Sequence, residues 1–399
     1  MSPEQNPLRA SDVRERNEKL VLRLIHGSGD RGFSQSEAVA ATGLKAPTIF
    51  RIFSSLEAAG YIELAPQGAA EAVPAGRSER KGRRPASYLA RAEACVLVGV
   101  EFWAGSLSLG VFDFRGRALY SKVFPLDPAQ GAEKVLATVA ARVSKALAGL
   151  GIATERVLGL GLGAPGQVDV GRRAVSFYAR IPGMTDFPAA ERLESRLGLP
   201  VTIHNNCSVV ALSEFRHGDL GEEDSTFMFL LRSGVNGAFV DSGRLHLTSR
   251  GRTIETGHLS VSLDGPDCPC GSRGCLEARL CALDRGNLDA GRWLFEGLGP
   301  ELAAGGKRAA AAASVLDEAS ASLASAARTV SRLFEPASYL FVAASAEVAE
   351  GLASRVRARI AEAGSGFDRV LPAFHGRAYD PALAQRGAAD LVLDAFFLA

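Results

Sequence analysis

The stretch ETGHLSVSLDGPDCPCGSRGCLEA, residues 255–278, places one histidine and three cysteines close together in the chain. Cys268, Cys270 and Cys275 follow a C-x-C-x4-C pattern, and His258 precedes the first of them by ten positions. Gly271 and Gly274 allow the intervening backbone to turn tightly, so three thiolates and one imidazole can converge on a tetrahedron. A Cys3His donor set has no open position, which makes the expected ion a structural Zn2+ rather than a hydrolytic one. The opening segment MSPEQNPLRASDVRERNEKL is polar, with no apolar leader, so the expected location is cytoplasmic. Grouped cysteines there read as metal ligands rather than disulfides. Cys281 lies outside the pattern, and Cys95 and Cys207 read as core thiols.

Around this cluster the chain alternates short apolar runs with longer helical patterns, which is α/β behaviour. The segment from Cys95 to Leu126 predicts three strands, with turns near Ala104-Gly105 and Arg115-Gly116. A helix at about 131–149, the strand RVLGLGLGAPG, a helix near 188–197 and the strand LPVTIHN follow. A second meander, STFMFLLRSGVNGAFVDSGRLHL, hints that the α/β unit is duplicated. The Ala-rich stretch 308–334 reads as a long helix stopped by Pro336, with SYLFVAAS as the next strand. At 399 residues, 47% hydrophobic and 22% charged, the chain has core enough for two or three domains and is not disordered. No run of eighteen apolar residues occurs, so no membrane span is expected.

The first 65 residues have a different texture. Asn17 reads as the cap of a helix whose face is Leu20, Val21, Leu24 and Ile25, and Gly27 and Gly29 end it. Ser34 or Ser36 starts a second helix, closed by Gly43. A third runs from about Ala46 to Ala59, with Ile49, Ile52, Phe53 and Leu56 as its buried stripe, and YIEL begins a strand. That order predicts a winged helix-turn-helix whose third helix enters the major groove of double-stranded DNA. Lys45, Thr48 and Arg51 are then the candidates for phosphate and base-edge contacts. Residues 66–87 are polar and rich in Gly, Pro and Arg, and their KGRRP core, with Arg83 and Arg84, reads as a wing tip or minor-groove arm. A solvated linker is the alternative. Residues 1–91 carry a net charge of +4 against −3 for the remainder, so a polyanion partner is expected for the head alone. The expected division is 1–65 for the winged head, 66–91 for the wing or linker and 92–399 for the body.

The E-x-G-H plus C-x-C-G-x-x-G-C-x-E pattern resembles that of the ROK family, which groups repressors, open reading frames and sugar kinases. The head resembles the winged domain of its repressor branch, and residues 95–399 its kinase-like body. The resemblance implies an α/β fold with a two-lobed actin-like (ribonuclease H-like) body around a sugar cleft. It also implies that Glu255, His258 and Glu277 contact sugar hydroxyls, with Asn205 and Asn206 in the place of the family's Asn-Asp pair. Gly161 to Gly166 matches its G-x-G-x-P-G turn.

Catalysis is not expected. The proton-accepting aspartate is replaced by Asn206, and a neutral amide cannot take a proton from the attacking hydroxyl. The first phosphate loop, Asp-x-Gly-Gly-Thr in family kinases, reads Glu101-Phe102-Trp103-Ala104-Gly105. The second survives loosely as Ser233-Gly234-Val235-Asn236-Gly237, and the late Gly-Gly has become Ala343-Ala344 or Ala344-Ser345. The expectation is a DNA-binding transcriptional regulator, a repressor, with a catalytically inactive sugar-kinase-like body. That body would sense a sugar or sugar phosphate and form a homodimer or homotetramer. Two alternatives stand beside it: a sugar kinase with an N-terminal extension, and a regulator whose body only oligomerises.

Overall fold

The computed structural model describes residues 10–66, 86–218, 220, 224–284, 292–363 and 371–398. Helix α1 (Ala10–Gly27) opens the chain and buries Val21, Leu22 and Ile25. Asn17 is therefore inside a helix rather than capping one, and Leu20 points outward at 43% exposure. The buried face begins only at Val21, and the apolar residues before it, Val13 and Leu20, are both exposed. Strand β1 (Phe33–Ser34) leads into α2 (Gln35–Thr42), where Ser34 and Glu37 form a reciprocal capping box. Gly43 ends α2 at φ 70°, and α3 (Ala46–Ala58) follows with Ile49, Ile52, Phe53 and Leu56 buried as expected. Strands β2 (Ile62–Leu64) and β3 (Ser87–Ala90) pair antiparallel, with β1 on the other side of β3. This is a winged helix-turn-helix. The basic segment between β2 and β3, Arg83 and Arg84 included, lies outside the described residues.

The body holds two five-stranded sheets of one topology. In the first, β4 (Val96–Trp103), β5 (Ser106–Asp113) and β6 (Ala118–Pro125) form an antiparallel meander. Helix α4 (Ala132–Gly149) carries the chain back to β7 (Val157–Ala164), parallel to β4. A small hairpin sheet of β8 (Gln167–Asp169), β9 (Ala174–Phe177) and β10 (Thr185–Phe187) precedes α5 (Ala189–Leu197) and β11 (Val201–Asn205). The strand order is β11-β7-β4-β5-β6. Helix α6 (Asn206–His217) then crosses to the second sheet.

That sheet repeats the plan. Strands β12 (Ser225–Leu231), β13 (Val235–Asp241) and β14 (Arg244–Leu245) form the meander. Helices α7 (Leu276–Leu283), α8 (Leu298–Ala304) and α9 (Gly306–Phe334) lead to β15 (Ser338–Ala343), and α10 (Ala346–Ala363) leads to β16 (Ala373–Ala378). The order β14-β13-β12-β15-β16 mirrors the first sheet, so the duplication suggested by the two meanders is present. Helix α11 (Pro381–Leu398) closes the described chain.

Alternation along the central strands separates four cores. Val96, Val98, Val100 and Phe102 of β4 face α4 and α5, whereas Leu97 faces the other way. Phe227, Phe229 and Leu231 of β12 face α7 to α10, whereas Met228 and Leu230 meet α6 and α11. Helix α11 serves two of these cores at once: Ala384, Ala388 and Leu391 pack under the second sheet, and Ala389, Val392 and Leu393 pack beneath the first. The same core as that second set holds Val21, Leu22 and Ile25 of α1, so head and body share apolar contents. His26 Nε2 lies 2.7 Å from the Phe114 carbonyl, and its ring meets those of Phe114 and Phe397. Close approach of α11 explains two strand glycines: a Cβ at Gly99 or Gly161 would lie 1.9 or 1.7 Å from the carbonyls of Gln385 or Ala388. Among the described residues, no helix is long and apolar enough to cross a membrane.

Candidate functional site

On the head, burial of Ile49, Ile52, Phe53 and Leu56 fixes the rotation of α3. Lys45 sits at its N-cap, exposed, Thr48 is half-buried in the first turn, and Arg51 is exposed one turn on. The three expected contact residues thus fall in the first two turns. Phe50, which the sequence reading passed over, is exposed beside Arg51.

In the body, the segment 255–278 folds back on itself. Val261 N–H donates to the Gly274 carbonyl (2.8 Å), Leu276 N–H to Leu259 (2.9 Å) and Cys268 N–H to Ser272 (2.8 Å). Gly274 adopts φ 66°, and a Cβ there would lie 1.5 Å from the Ser262 carbonyl, so this hairpin closes only around glycine. Closure brings His258, Cys268, Cys270 and Cys275 together, with one ligand atom of each within 4.8 Å of all the others. His258 Nδ1 is 3.6 Å from Cys268 Sγ, and Cys270 Sγ is 3.6 Å from Cys275 Sγ. A tetrahedral zinc with ordinary bond lengths needs edges of about 3.6 Å for S to N and about 3.8 Å for S to S. The donor set and its spacing fit a metal ion.

Against this hairpin stands a pair of carboxylates. Glu277, in the first turn of α7, accepts from the Val235 N–H at 3.2 Å. Glu255 has an Oε1 shut off from solvent and without a partner. Burial, and then the negative charge of Glu277, push its carboxyl up to about 8. Asn205 and Asn206 lie at the head of α6, on the end of β11. Asn205 makes two hydrogen bonds: its Oδ1 accepts from Cys207 N–H (2.7 Å) to cap the helix, and its Nδ2 donates to the Gly166 carbonyl. Asn206 is buried at the first position of α6. Burial raises the thiol of the neighbouring Cys207, with Arg232 opposing and Glu255 adding to the shift.

A family model described as ROK family matches residues 97–395. The chain belongs to the ROK family. Among solved structures it is similar to a ROK family transcriptional regulator, a homolog of the E. coli MLC protein. That match has TM-score 0.75 and 19% identity, covering 97% of this chain and 98% of that one. It is also similar to a ROK hexokinase from Thermus thermophilus, with TM-score 0.59 and 27% identity over 74% of this chain and 97% of that one. Among curated relatives, a candidate xylose repressor of Caldicellulosiruptor sp. (strain Rt8B.4) is 23% identical over 66% of this chain and 63% of its own length. A glucokinase of Halalkalibacterium halodurans is 28% identical over 45% of this chain and 54% of its own. The chain thus spans between about half and two thirds of these two curated relatives. The ROK fold and the winged head agree with the sequence reading, and relatives of both kinds, regulators and kinases, are represented.

Within this ROK body β4 and the residue that follows β12 are joined to each other by a buried ion pair. Glu101 of β4 pairs with Arg232, which follows β12, and Tyr379 Oη donates to the other Glu101 oxygen at 2.9 Å. Both charged groups are buried, at 1% and 6% side-chain exposure. Three rings enclose the guanidinium: its carbon lies 5.1 Å from the Trp103 centroid, 5.2 Å from Trp293 and 4.3 Å from Tyr379. Sequence reading picked out Glu101 and Trp103 as losses only. Their partners come from segments far away in the chain, and nothing local to Arg232, Trp293 or Tyr379 signals the cage.

Proposed function

We propose that this protein is a DNA-binding transcriptional regulator, acting as a repressor, with a body that binds a sugar or related ligand and does not phosphorylate it. The observation that carries the reading is the winged helix-turn-helix at the front of a ROK body, with Lys45, Thr48 and Arg51 on the leading turns of its third helix. The fold match over nearly the whole of a ROK regulator supports it. Arg83 and Arg84 add phosphate attraction from the wing or linker. Loss of kinase chemistry is supported by Asn206 at the base position and by the caged Glu101–Arg232 pair standing where two phosphate loops are expected. A phosphate loop works by presenting backbone N–H groups to the triphosphate, and in this reading the indole of Trp103 and the Arg232 pair take that space.

His258, Cys268, Cys270 and Cys275 hold a zinc ion in this reading, and the ion keeps the hairpin before α7 in shape. That fixes Glu277, and Glu255 beside it, as the hydroxyl-contacting groups, with Asn206 as a third. Asn205 shapes the site through its two hydrogen bonds. Paired subunits hold two heads about 34 Å apart, one helical turn of DNA. A ligand that prefers one lobe arrangement changes that spacing, whereas one of equal affinity for both shifts nothing.

A second reading, a body that only oligomerises, is favoured by the two hydrogen bonds of Asn205 and by the Glu277 bond to Val235. Thermal-shift screening against sugars and sugar phosphates separates the two. A saturable hit abolished by Glu277→Ala supports sensing, and a blank panel supports oligomerisation alone. For the core of the proposal, duplex binding is measured on labelled genomic fragments and ADP release on ATP with a broad sugar panel. Sequence-selective duplex retention without turnover is the expected result. Steady ADP release restores the kinase reading, and indifference to every duplex removes the regulator.

A further inference from the structure

The ridge of α3 opposite its buried stripe is Pro47, Phe50, Arg51 and Ser54, at spacing i, i+3, i+4, i+7, and all four are exposed. Phe50 is 59% exposed and makes no ring contact among the described residues. A lone apolar side chain at a surface is ordinary. This one stands in the second turn of the helix expected to enter the groove, next to its most prominent cation and one turn after Ala46 and Pro47, which extend the apolar surface. Of the groups that line a major groove, the thymine C5-methyl is the apolar one, and an aromatic ring is a known kind of partner for it. Phe50 lies about 6 Å along the axis from the start of α3, within the leading turns that meet base edges when such a helix lies in the groove.

We propose that Phe50 is a specificity-determining residue that reads a thymine methyl in each operator half-site, within a base pair or two of the guanine available to Arg51. The proposal rests on the reading of the head as a DNA-binding module. The occupant is duplex DNA, since the ridge carries Arg51 and is flanked by Lys45, a positive frame suited to a polyanion. Thr48, also in the first turns, supplies a hydroxyl suited to phosphate or base edge.

Sites are first selected from a random duplex library with the purified full chain. Thymines of the selected site are then replaced one at a time by deoxyuridine, which removes the methyl and leaves base pairing unchanged. One thymine per half-site should lose about four-fold in affinity on demethylation, the equivalent of about 0.8 kcal/mol for one buried methyl-sized group. Phe50→Ser should bind the wild-type site and the demethylated site equally, and Phe50→Leu should keep a reduced preference. If duplexes are selected but no deoxyuridine matters, the role of Phe50 is overturned while the head remains a DNA reader. Phe50→Ser remaining as methyl-sensitive as wild type overturns it as well, because another residue then reads the methyl. A change of oligomeric state in Phe50→Ser without a methyl effect assigns the ring to a protein contact instead. If no duplex is enriched at all, the underlying reading of the head fails with it.

Discussion

Arg232→Ala gives the sharpest measure of how the two lobes are held. The substitution leaves the Glu101 carboxylate buried at 1% exposure with the Tyr379 hydroxyl as a remaining partner, and it empties a cage walled by Trp103, Trp293 and Tyr379. Breaking one side of a buried ion pair costs about 3–5 kcal/mol, because the surviving charge is stranded away from water. The cation–π contacts add about 0.5–2 kcal/mol apiece at most, so the expected loss sits at the upper part of that range. Glu101→Gln strands the guanidinium in turn and should cost about as much. Replacing both partners, Glu101→Gln with Arg232→Ala, removes both charges and should recover part of the loss. The assay is urea unfolding of the full chain by circular dichroism and tryptophan fluorescence, read as a double-mutant cycle with a coupling of about 2 kcal/mol or more. A loss below about 1 kcal/mol for Arg232→Ala, or strictly additive single effects, would refute the argument that this pair is desolvated and bridges the lobes.

Three further outcomes are expected. Elemental analysis should find zinc bound to the purified chain, and Cys275→Ser or a strong chelator should lower the unfolding midpoint of the body; a metal-free protein of unchanged stability rules the cluster out as a metal site. Arg51→Ala should weaken operator binding by about 1–3 kcal/mol and relax preference at one base pair, whereas a uniform loss across all duplexes would mark a phosphate contact. His204 is buried and its imidazole is pushed down to about 4 by desolvation, with Nδ1 accepting from Asn205 N–H. An unfolded histidine binds its proton near pH 6.5, so the unfolded chain gains protons first on acidification. Its contribution is therefore intact above about pH 6.5 and falls by about 3 kcal/mol by about pH 4. His204→Gln should flatten that part of the stability–pH curve, and an unaltered slope would show that His204 titrates normally.

Much of the fold could be read locally. The Ser34-to-Glu37 cap, the buried stripe of α3 and both meanders rest on residues a few positions apart, where hydrogen-bond demand and alternation decide structure. The convergence of His258 with the three cysteines was legible for the same reason, since all four lie in a single turn-rich segment. What escaped were arrangements set by distant packing. The glycines of VLVGVEFW and GLGLGAPG look like strand irregularities or a ligand turn, yet Gly99 and Gly161 are small because α11 lies directly on them. Leu20 looked like a core residue and is turned to solvent, while Leu22 is buried. The two hydrogen bonds of Asn205, to a helix cap and a turn carbonyl, were likewise not visible in the sequence. Arg232 carried no signal, because an arginine at a strand end is ordinarily solvated and its burial depends on rings contributed by two other segments.

The apolar contents shared by α1 and α11 have a consequence for synthesis. Val21, Leu22 and Ile25 emerge from the ribosome early, but Val392, Leu393 and the rings of Phe396 and Phe397 that cover them are made only after the whole body. At ordinary elongation speeds of about 5–20 residues per second, that delay is roughly 20–75 s. During it the nascent head lacks part of its packing surface, and a polypeptide released before α11 would carry the winged head on an unfinished foundation. The packing of the head is therefore completed only once α11 has been made, which ties its stability to a finished body rather than to fragments of it.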